Sequence, residues 1–316
     1  MARLVFMGSP AFAVPTLAAL ARDHDILAVF TQPDKPAGRG RQLARVPAAT
    51  WAEAQRAPIH QPRSLRKEPA AIETLRALQP EAIVVAAYGL ILPQAVLDLP
   101  PHGCLNVHAS LLPKYRGAAP IPAAILAGET ETGVTIMRMD AGVDTGPILA
   151  HAREPIHPDD TTATLGTRLA ELGARLMAET LPKVVRGEIR PIAQDEAQAS
   201  FSPKIEKEDG RIDWSKPAIA IDRTIRAYTP WPGAFTQWER QTLKIVRARA
   251  IGQTVARPLQ NIGQVIRFEP ERIGVVTGDG ILELLEVQLA GKKALPVEEF
   301  VRGQPKLIGA VLESRE

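Results

Sequence analysis

Residues 83–90, IVVAAYGL, carry no charge at any position. A strand with one face in water alternates apolar and polar residues, and this run does not. Such a strand is covered on both faces, as in the centre of a parallel sheet with helices on either side. The chain around it alternates in the same sense. Short apolar runs at 3–9, 26–32, near Ile59, 103–109, 134–139 and 148–156 read as strands, the last polar enough to be an edge. Segments 10–22, 47–56, 67–78, 120–126 and 161–185 read as helices, with Pro10 opening the first. Strands alternating with helices predict an α/β fold: a doubly wound, mostly parallel, Rossmann-like sheet.

The pattern changes near residue 203. Residues 241–250, 263–268, 273–277 and 281–289 read as short strands broken by glycine or polar turns, with a helix over 222–228. They predict a smaller C-terminal β-barrel, OB-like in kind. The expected division is a catalytic domain over 1–187, a polar linker over 188–203 and the barrel over 204–316.

Several function classes are excluded. The first strand-to-helix turn is GSPAFA rather than GxGxxG, and the second strand ends in Thr31-Gln32, with no acid for a ribose hydroxyl. GxxxxGK[ST] does not occur, so there is no phosphate-binding P-loop. The single cysteine, Cys104, rules out an internal disulfide framework and a cysteine-based zinc site. His157, Asp159 and Asp160 precede a helix start and read as capping rather than as metal ligands, so no metal is expected. The apolar run after Arg3 is interrupted by Pro10 and Pro15, so it reads as strand, turn and helix rather than as a signal peptide. With no uninterrupted run long enough to span a membrane, the expected location is cytoplasmic. Residues 1–202 hold 20 basic and 20 acidic side chains, and residues 203–316 hold 18 and 15. The basic excess therefore lies in the C-terminal part, where a polyanionic partner would be met.

The chemistry is concentrated in GCLNVHASLLPKYRG, residues 103–117. Successive strand residues point to opposite faces, so Asn106, His108 and Ser110 point the same way, toward the carboxyl end of a parallel strand where α/β sheets bind ligands. Asp144 lies in AGVDTGP, between Gly142 and Gly146, after the 134–139 strand. Two readings fit this spacing. His108 is a satisfied core histidine and Asp144 a turn residue; or neighbouring parallel strands bring Asp144 to His108, where it orients the ring. In the second, an amide and an imidazole hold a developing oxyanion, which suits acyl transfer better than hydride transfer. Ser110 lacks the GxSxG setting of a nucleophile.

Residues 34–45, DKPAGRGRQLAR, set Lys35, Arg39, Arg41 and Arg45 against Asp34 alone. A solvated loop and a mobile arm that follows phosphates both fit that composition. In RAYTPWPGAF, residues 226–235, a tryptophan between prolines reads as a rigid corner of the small domain, with base stacking as the alternative.

The motifs NVHASLLPKYRGAAP (106–120), AGVDTGPI (141–148), FTQPDKPAGRG (30–40), AYTPWPGAF and TGDGILEL identify the chain as similar to the folate-dependent formyltransferases. The first two motifs are common to the whole family. The basic loop and the C-terminal domain point to its branch acting on methionyl-tRNA. The resemblance implies 10-formyltetrahydrofolate as co-substrate and methionyl-initiator tRNA as partner, and the chain is expected to act as a monomer. It implies Asn106, His108 and Asp144 as catalytic residues. It places folate against Ser110, Leu111, Leu112 and Pro113, with the 88–92 loop lining the pterin pocket. It places the acceptor stem on Lys35, Arg39 and Arg41.

Overall fold

In the computed structural model, which describes residues 1–37, 42–252, 261–268 and 271–315, the run near 83–90 forms the strand Ala82–Ala86, and all of its residues are buried. It occupies the middle of a seven-stranded sheet. The order is Ile148–Pro155, Glu131–Arg138, Cys104–His108, Ala82–Ala86, Arg3–Gly8, Asp25–Phe30 and Ile59–His60. The last five of these are parallel to one another. The reason for the unalternating run is visible in the neighbouring strand. Val5 and Met7 join a core with Leu65, Leu75, Ile83 and Val85. Leu4 and Phe6, of opposite parity, are equally inaccessible.

One expectation is corrected. Glu131–Arg138 lies next to Cys104–His108, as the site requires, but runs antiparallel to it. A return in parallel needs a long crossover. Residues 109–130 instead provide a proline-broken loop and the eight-residue helix Pro120–Ala127, and the chain re-enters the sheet in the opposite sense. Ile148–Pro155 then pairs antiparallel outside it, with alternating half-buried and exposed residues, as an edge strand should.

The long helix Thr162–Val185 buries Leu165, Leu169, Gly173, Met177, Leu181 and Val184, a stripe at helical spacing. Its start is capped by Thr161, whose Oγ1 accepts from Thr164 N at 3.2 Å, and Asp160 closes the turn before it by accepting from His157 N at 2.7 Å. Gly173 is fixed by packing. A Cβ there would lie 2.6 Å from Val107 Cγ1, on the strand between Asn106 and His108.

By its contacts the chain divides into two units: Met1–Pro120, Thr130–Pro155 and Leu165–Pro203, and then Ile121–Glu129, Ile156–Thr164 and Lys204–Glu316. Residues 188–203, expected as a linker, are part of the first unit. Backbone pairing ties them to it: Phe201–Ser202 pairs with Arg116–Gly117, and Ile192 bridges Ile148.

The second unit holds an antiparallel sheet in the order Ala234–Trp238, Gln241–Ile251, Ile281–Leu289, Arg272–Val276 and Val265–Phe268, with Leu295–Pro296 paired beside Ile281–Leu289. Two bridges close the path: Gln264 pairs with Val311 at one edge and Gln237 with Glu313 at the other. The core inside gathers Trp214, Ile221, Ile225, Trp238, Leu243, Leu282 and Phe300. The helix predicted over 222–228 runs Ala218–Ala227. The strand Ala234–Trp238 is an addition to the sequence reading. Trp231, expected to pack a corner, is 57% exposed.

Candidate active site

Asn106 and His108 sit two residues apart on Cys104–His108 and project from one face of the sheet. The loop 139–147 leaves its strand beside Cys104, where Met139 N donates to Cys104 O at 2.8 Å, and doubles back over that face. It brings Asp144 to both residues. Asn106 Nδ2 donates to Asp144 Oδ1 at 3.4 Å, and His108 Nδ1 lies 3.6 Å from Oδ2. Asn106 is 9% exposed and His108 5%, so charge placed here is poorly screened by water.

Both ring nitrogens of His108 face oxygen. Nε2 lies 3.0 Å from Tyr115 O, and Nδ1 faces the carboxylate. A carbonyl oxygen only accepts, so Nε2 carries hydrogen in this arrangement. The imidazolium alone has a second N–H to turn toward the carboxylate or toward a ligand.

The loop around Asp144 has a built conformation. Asp144 is left-handed, with φ 53°. Aspartate adopts that conformation more readily than most non-glycine residues, and here hydrogen bonds fix it. Its Oδ2 accepts from Gly117 N at 2.8 Å. Its carbonyl accepts from Gln194 Nε2 at 2.8 Å. Asp140 Oδ1 accepts from Gly142 N at 3.0 Å and from Thr145 Oγ1 at 2.7 Å. Gly146 has to be glycine, since a Cβ there would stand 1.8 Å from Arg138 O.

The stretch after the strand behaves differently from its alternation. The strand ends at His108, and Ser110 is fully buried. Its hydroxyl donates to Lys114 O at 2.6 Å, while its carbonyl accepts from Thr135 Oγ1 at 2.7 Å. Ser110 therefore shapes the loop. Leu112 is buried as well, its N–H donating to Thr135 Oγ1 at 3.1 Å, whereas Leu111 and Pro113 are half-buried. In the 88–92 loop, Tyr88 packs into the core, and the accessible side-chain surface comes from half-buried Leu90 and from Ile91, 67% exposed, beside an exposed Gly89. That loop follows Ala82–Ala86, which pairs with Arg3–Gly8 where the strand order reverses, and α/β sheets bind ligands at such a point. Gln32 Nε2 pins it by donating to Tyr88 O at 2.9 Å. Cys104 is no nucleophile: burial pushes its thiol up to about 12.

Residues of the first unit that sequence reasoning missed are Arg116, Gln194, Glu196, Ser200 and Ser202. Ser200 Oγ accepts from Tyr115 N at 2.9 Å, and Ser202 Oγ donates to Arg116 O at 3.1 Å. Hydrogen bonds within 188–203 leave no periodic trace in the sequence. Arg116 does carry a signal, as one of two cations inside the motif, two residues after Lys114.

The basic loop is rooted in a short hairpin, Lys35–Ala37 with Gln42–Ala44. Lys35 lies on its first strand; Arg39 and Arg41 lie outside the described residues. Arg45 is committed to ion pairs. It pairs with Asp34 at 3.1 Å and Glu53 at 3.4 Å. Asp34 also accepts from Val46 N at 3.2 Å and Gln61 Nε2 at 3.1 Å, tying the two ends of the loop together. Among the described residues no three of His, Cys, Asp and Glu converge as metal ligands, and no helix is long and apolar enough to cross a membrane.

Comparison with known proteins bears on this geometry. Residues 2–181 match the family described as formyl transferase, and residues 204–305 match the formyl transferase C-terminal domain. The methionyl-tRNA formyltransferase of Trichlorobacter lovleyi is 47% identical over 99% of this chain and 98% of its own length. That of Chloroflexus aggregans is 50% identical over 95% and 97%. Among solved structures, HypX from Aquifex aeolicus in complex with tetrahydrofolic acid superposes with a TM-score of 0.64 at 19% identity, over 98% of this chain and 48% of that one. The N-formyltransferase from Helicobacter canadensis, in complex with folinic acid and dTDP-3-aminofucose, gives 0.66 at 19% identity, over 90% and 98%. At that identity the likeness is one of fold.

Proposed function

This chain belongs to the methionyl-tRNA formyltransferase family, and from that premise we propose that it transfers the formyl group of 10-formyltetrahydrofolate to the α-amine of methionyl-initiator tRNA. The observation that carries the site assignment is the convergence of Asn106, His108 and Asp144 on one buried face. The residues present suit a flat folate ring. Ile91 and Leu90 offer apolar surface in one loop, and Leu111 and Pro113 do so in the loop after the adjacent strand.

The neutral amine attacks the formyl carbon, and the carbonyl oxygen takes up negative charge. Asn106 donates to that oxygen with the amide hydrogen not used by Asp144. His108 donates through Nδ1, which stands 3.6 Å from the carboxylate and so is not committed to a hydrogen bond with it. Asp144 supports the imidazolium and is the base within reach of the proton leaving the attacking nitrogen. A proton then reaches N10, the C–N10 bond breaks and tetrahydrofolate departs. Preorganised donors at such a site are each worth about 2.7–4 kcal/mol in the transition state.

On the tRNA side, Lys35, Arg39 and Arg41 meet the phosphates of the acceptor stem, and the basic C-terminal unit contributes further contacts. The chain works as a monomer in the cytoplasm, where charged tRNA is made and used. No metal enters the reaction as written, since the donors and the base are side chains.

The test is formyl transfer from 10-formyltetrahydrofolate to purified methionyl-tRNA, with uncharged tRNA and a sugar-nucleotide amine as controls. Transfer confined to the charged tRNA is expected. Transfer to the small amine instead would keep the catalytic site and overturn the assignment of substrate.

A further inference from the structure

We propose that Arg116 and Gln194 are positioning residues that lock the backbone at Asp144 and so hold its carboxylate against His108 and Asn106. The proposal rests on the catalytic reading of Asp144 given above. It starts from the amide of Gln194. Nε2 donates to Asp144 O at 2.8 Å and to Gly146 O at 2.7 Å. A primary amide has two N–H groups, and both are spent on this one loop. On the other side, Oε1 accepts from Arg116 Nε at 3.1 Å and Nη2 at 2.9 Å. The guanidinium orients the amide, and the amide orients the loop.

Arg116 is placed for this and little else. It is 1% exposed, and a guanidinium so buried needs partners for its hydrogens. Glu196 provides the rest of the fork, accepting from Nη1 at 2.8 Å and from Nη2 at 2.7 Å. That bidentate pair fixes the plane of the group, which a lysine cannot do.

The same short segment holds the catalytic residues from a second direction. Tyr115 O meets His108 Nε2 at 3.0 Å, and Gly117 N donates to Asp144 Oδ2 at 2.8 Å. Residues 115–117 thus bear on the imidazole, on the carboxylate and, through Gln194, on the carbonyl behind that carboxylate. Pairing of Arg116–Gly117 with Phe201–Ser202 keeps the segment in register. Such over-determination holds the left-handed aspartate at φ 53°.

A positioning role and a merely structural one diverge in Gln194→Glu. The carboxylate keeps an acceptor for Arg116 and adds charge to that pair, which offsets part of the cost to folding. Both donors to the loop are lost, however, and an anionic oxygen faces two carbonyls. With the full chain and methionyl-tRNA as acceptor, kcat should fall at least tenfold. The KM for 10-formyltetrahydrofolate should stay within about twofold. Gln194→Met, which keeps length and removes all hydrogen bonding, should behave alike and serves if the glutamate variant does not fold.

The decisive step is a double-mutant cycle on kcat. If Gln194 acts through Asp144, Gln194→Glu costs nothing further in an Asp144→Ala background. A wild-type kcat in both Gln194 variants would overturn the proposal. So would an equal fractional loss in the two backgrounds, the mark of a role elsewhere. If Asp144→Ala itself turned over at the wild-type rate, the catalytic reading would fall, and the clamp with it.

Discussion

Truncating Asn106 to alanine separates two energies that this site keeps far apart. The Asn106 side chain makes a single hydrogen bond among the described residues, to Asp144 Oδ1, and at 3.4 Å it is a long one. Asp144 keeps its shorter bond from Gly117 N at 2.8 Å, so the carboxylate is not left bare. The folded state should lose about 0.5–1.5 kcal/mol, the ordinary net worth of one hydrogen bond. The transition state should lose far more, because the missing N–H meets full negative charge only there. One such donor is worth about 2.7–4 kcal/mol, and each ~1.4 kcal/mol is a factor of ten in rate. Turnover should therefore drop by about two to three orders of magnitude. The KM for folate should hardly move, since a group that acts only in the transition state leaves ground-state binding alone. The assay is formylation of methionyl-tRNA under saturating folate, beside a thermal melt of the same preparation. A kcat within about threefold of wild type would refute the oxyanion assignment. A rate loss that followed the fall in melting temperature would do the same.

Other outcomes follow from the same geometry. Gly173→Ala should lower stability by about 1–3 kcal/mol in a melt, although alanine is the better helix former, because its Cβ would meet Val107 Cγ1 at 2.6 Å; a rise in melting temperature would contradict the packing account. In the second unit, hydrogen bonds from Arg272 hold the Glu283 carboxyl below the usual range, with burial opposing them and Arg249 3.8 Å away. A depressed carboxylate stabilises above its unfolded pKa and loses that contribution as pH falls through the folded one. The melting gap between wild type and Glu283→Gln should thus be full at neutral pH and close in acid, and a gap that widens in acid would reverse the sign. Arg39→Ala should weaken use of tRNA and leave folate binding intact, with tRNA affinity falling as salt rises. Affinity independent of salt would remove phosphate contacts from the account.

Legibility in the sequence depended on how local each signal was. Ala82–Ala86 was readable because both of its faces are covered, which writes an unbroken apolar run. Asn106 and His108 were readable from a period of two, and Asp144 from the glycines on either side. The direction of Glu131–Arg138 was not, since an apolar strand reads the same in either sense. Ala234–Trp238 was masked by the prolines before it, and it buries Thr236 among its apolar residues. The largest omission was the role of 188–203. Gln194 reaches Asp144 across 50 positions of sequence, and a side-chain bond of that range has no local pattern to betray it.

The closing of the second sheet by residues 311–313 has a consequence for how the chain is made. A ribosome delivers those residues long after Gln237 and Gln264, the partners they bridge, have emerged. Ser314, which accepts from Trp214 N at 3.0 Å, arrives later still, across a separation of 100 residues. Until then two strand edges stand open on the nascent chain, and open edges recruit other strands. The first unit holds all the residues of its sheet by Pro155 and can pair them during synthesis. The second cannot close its path until residues 311–313 have emerged.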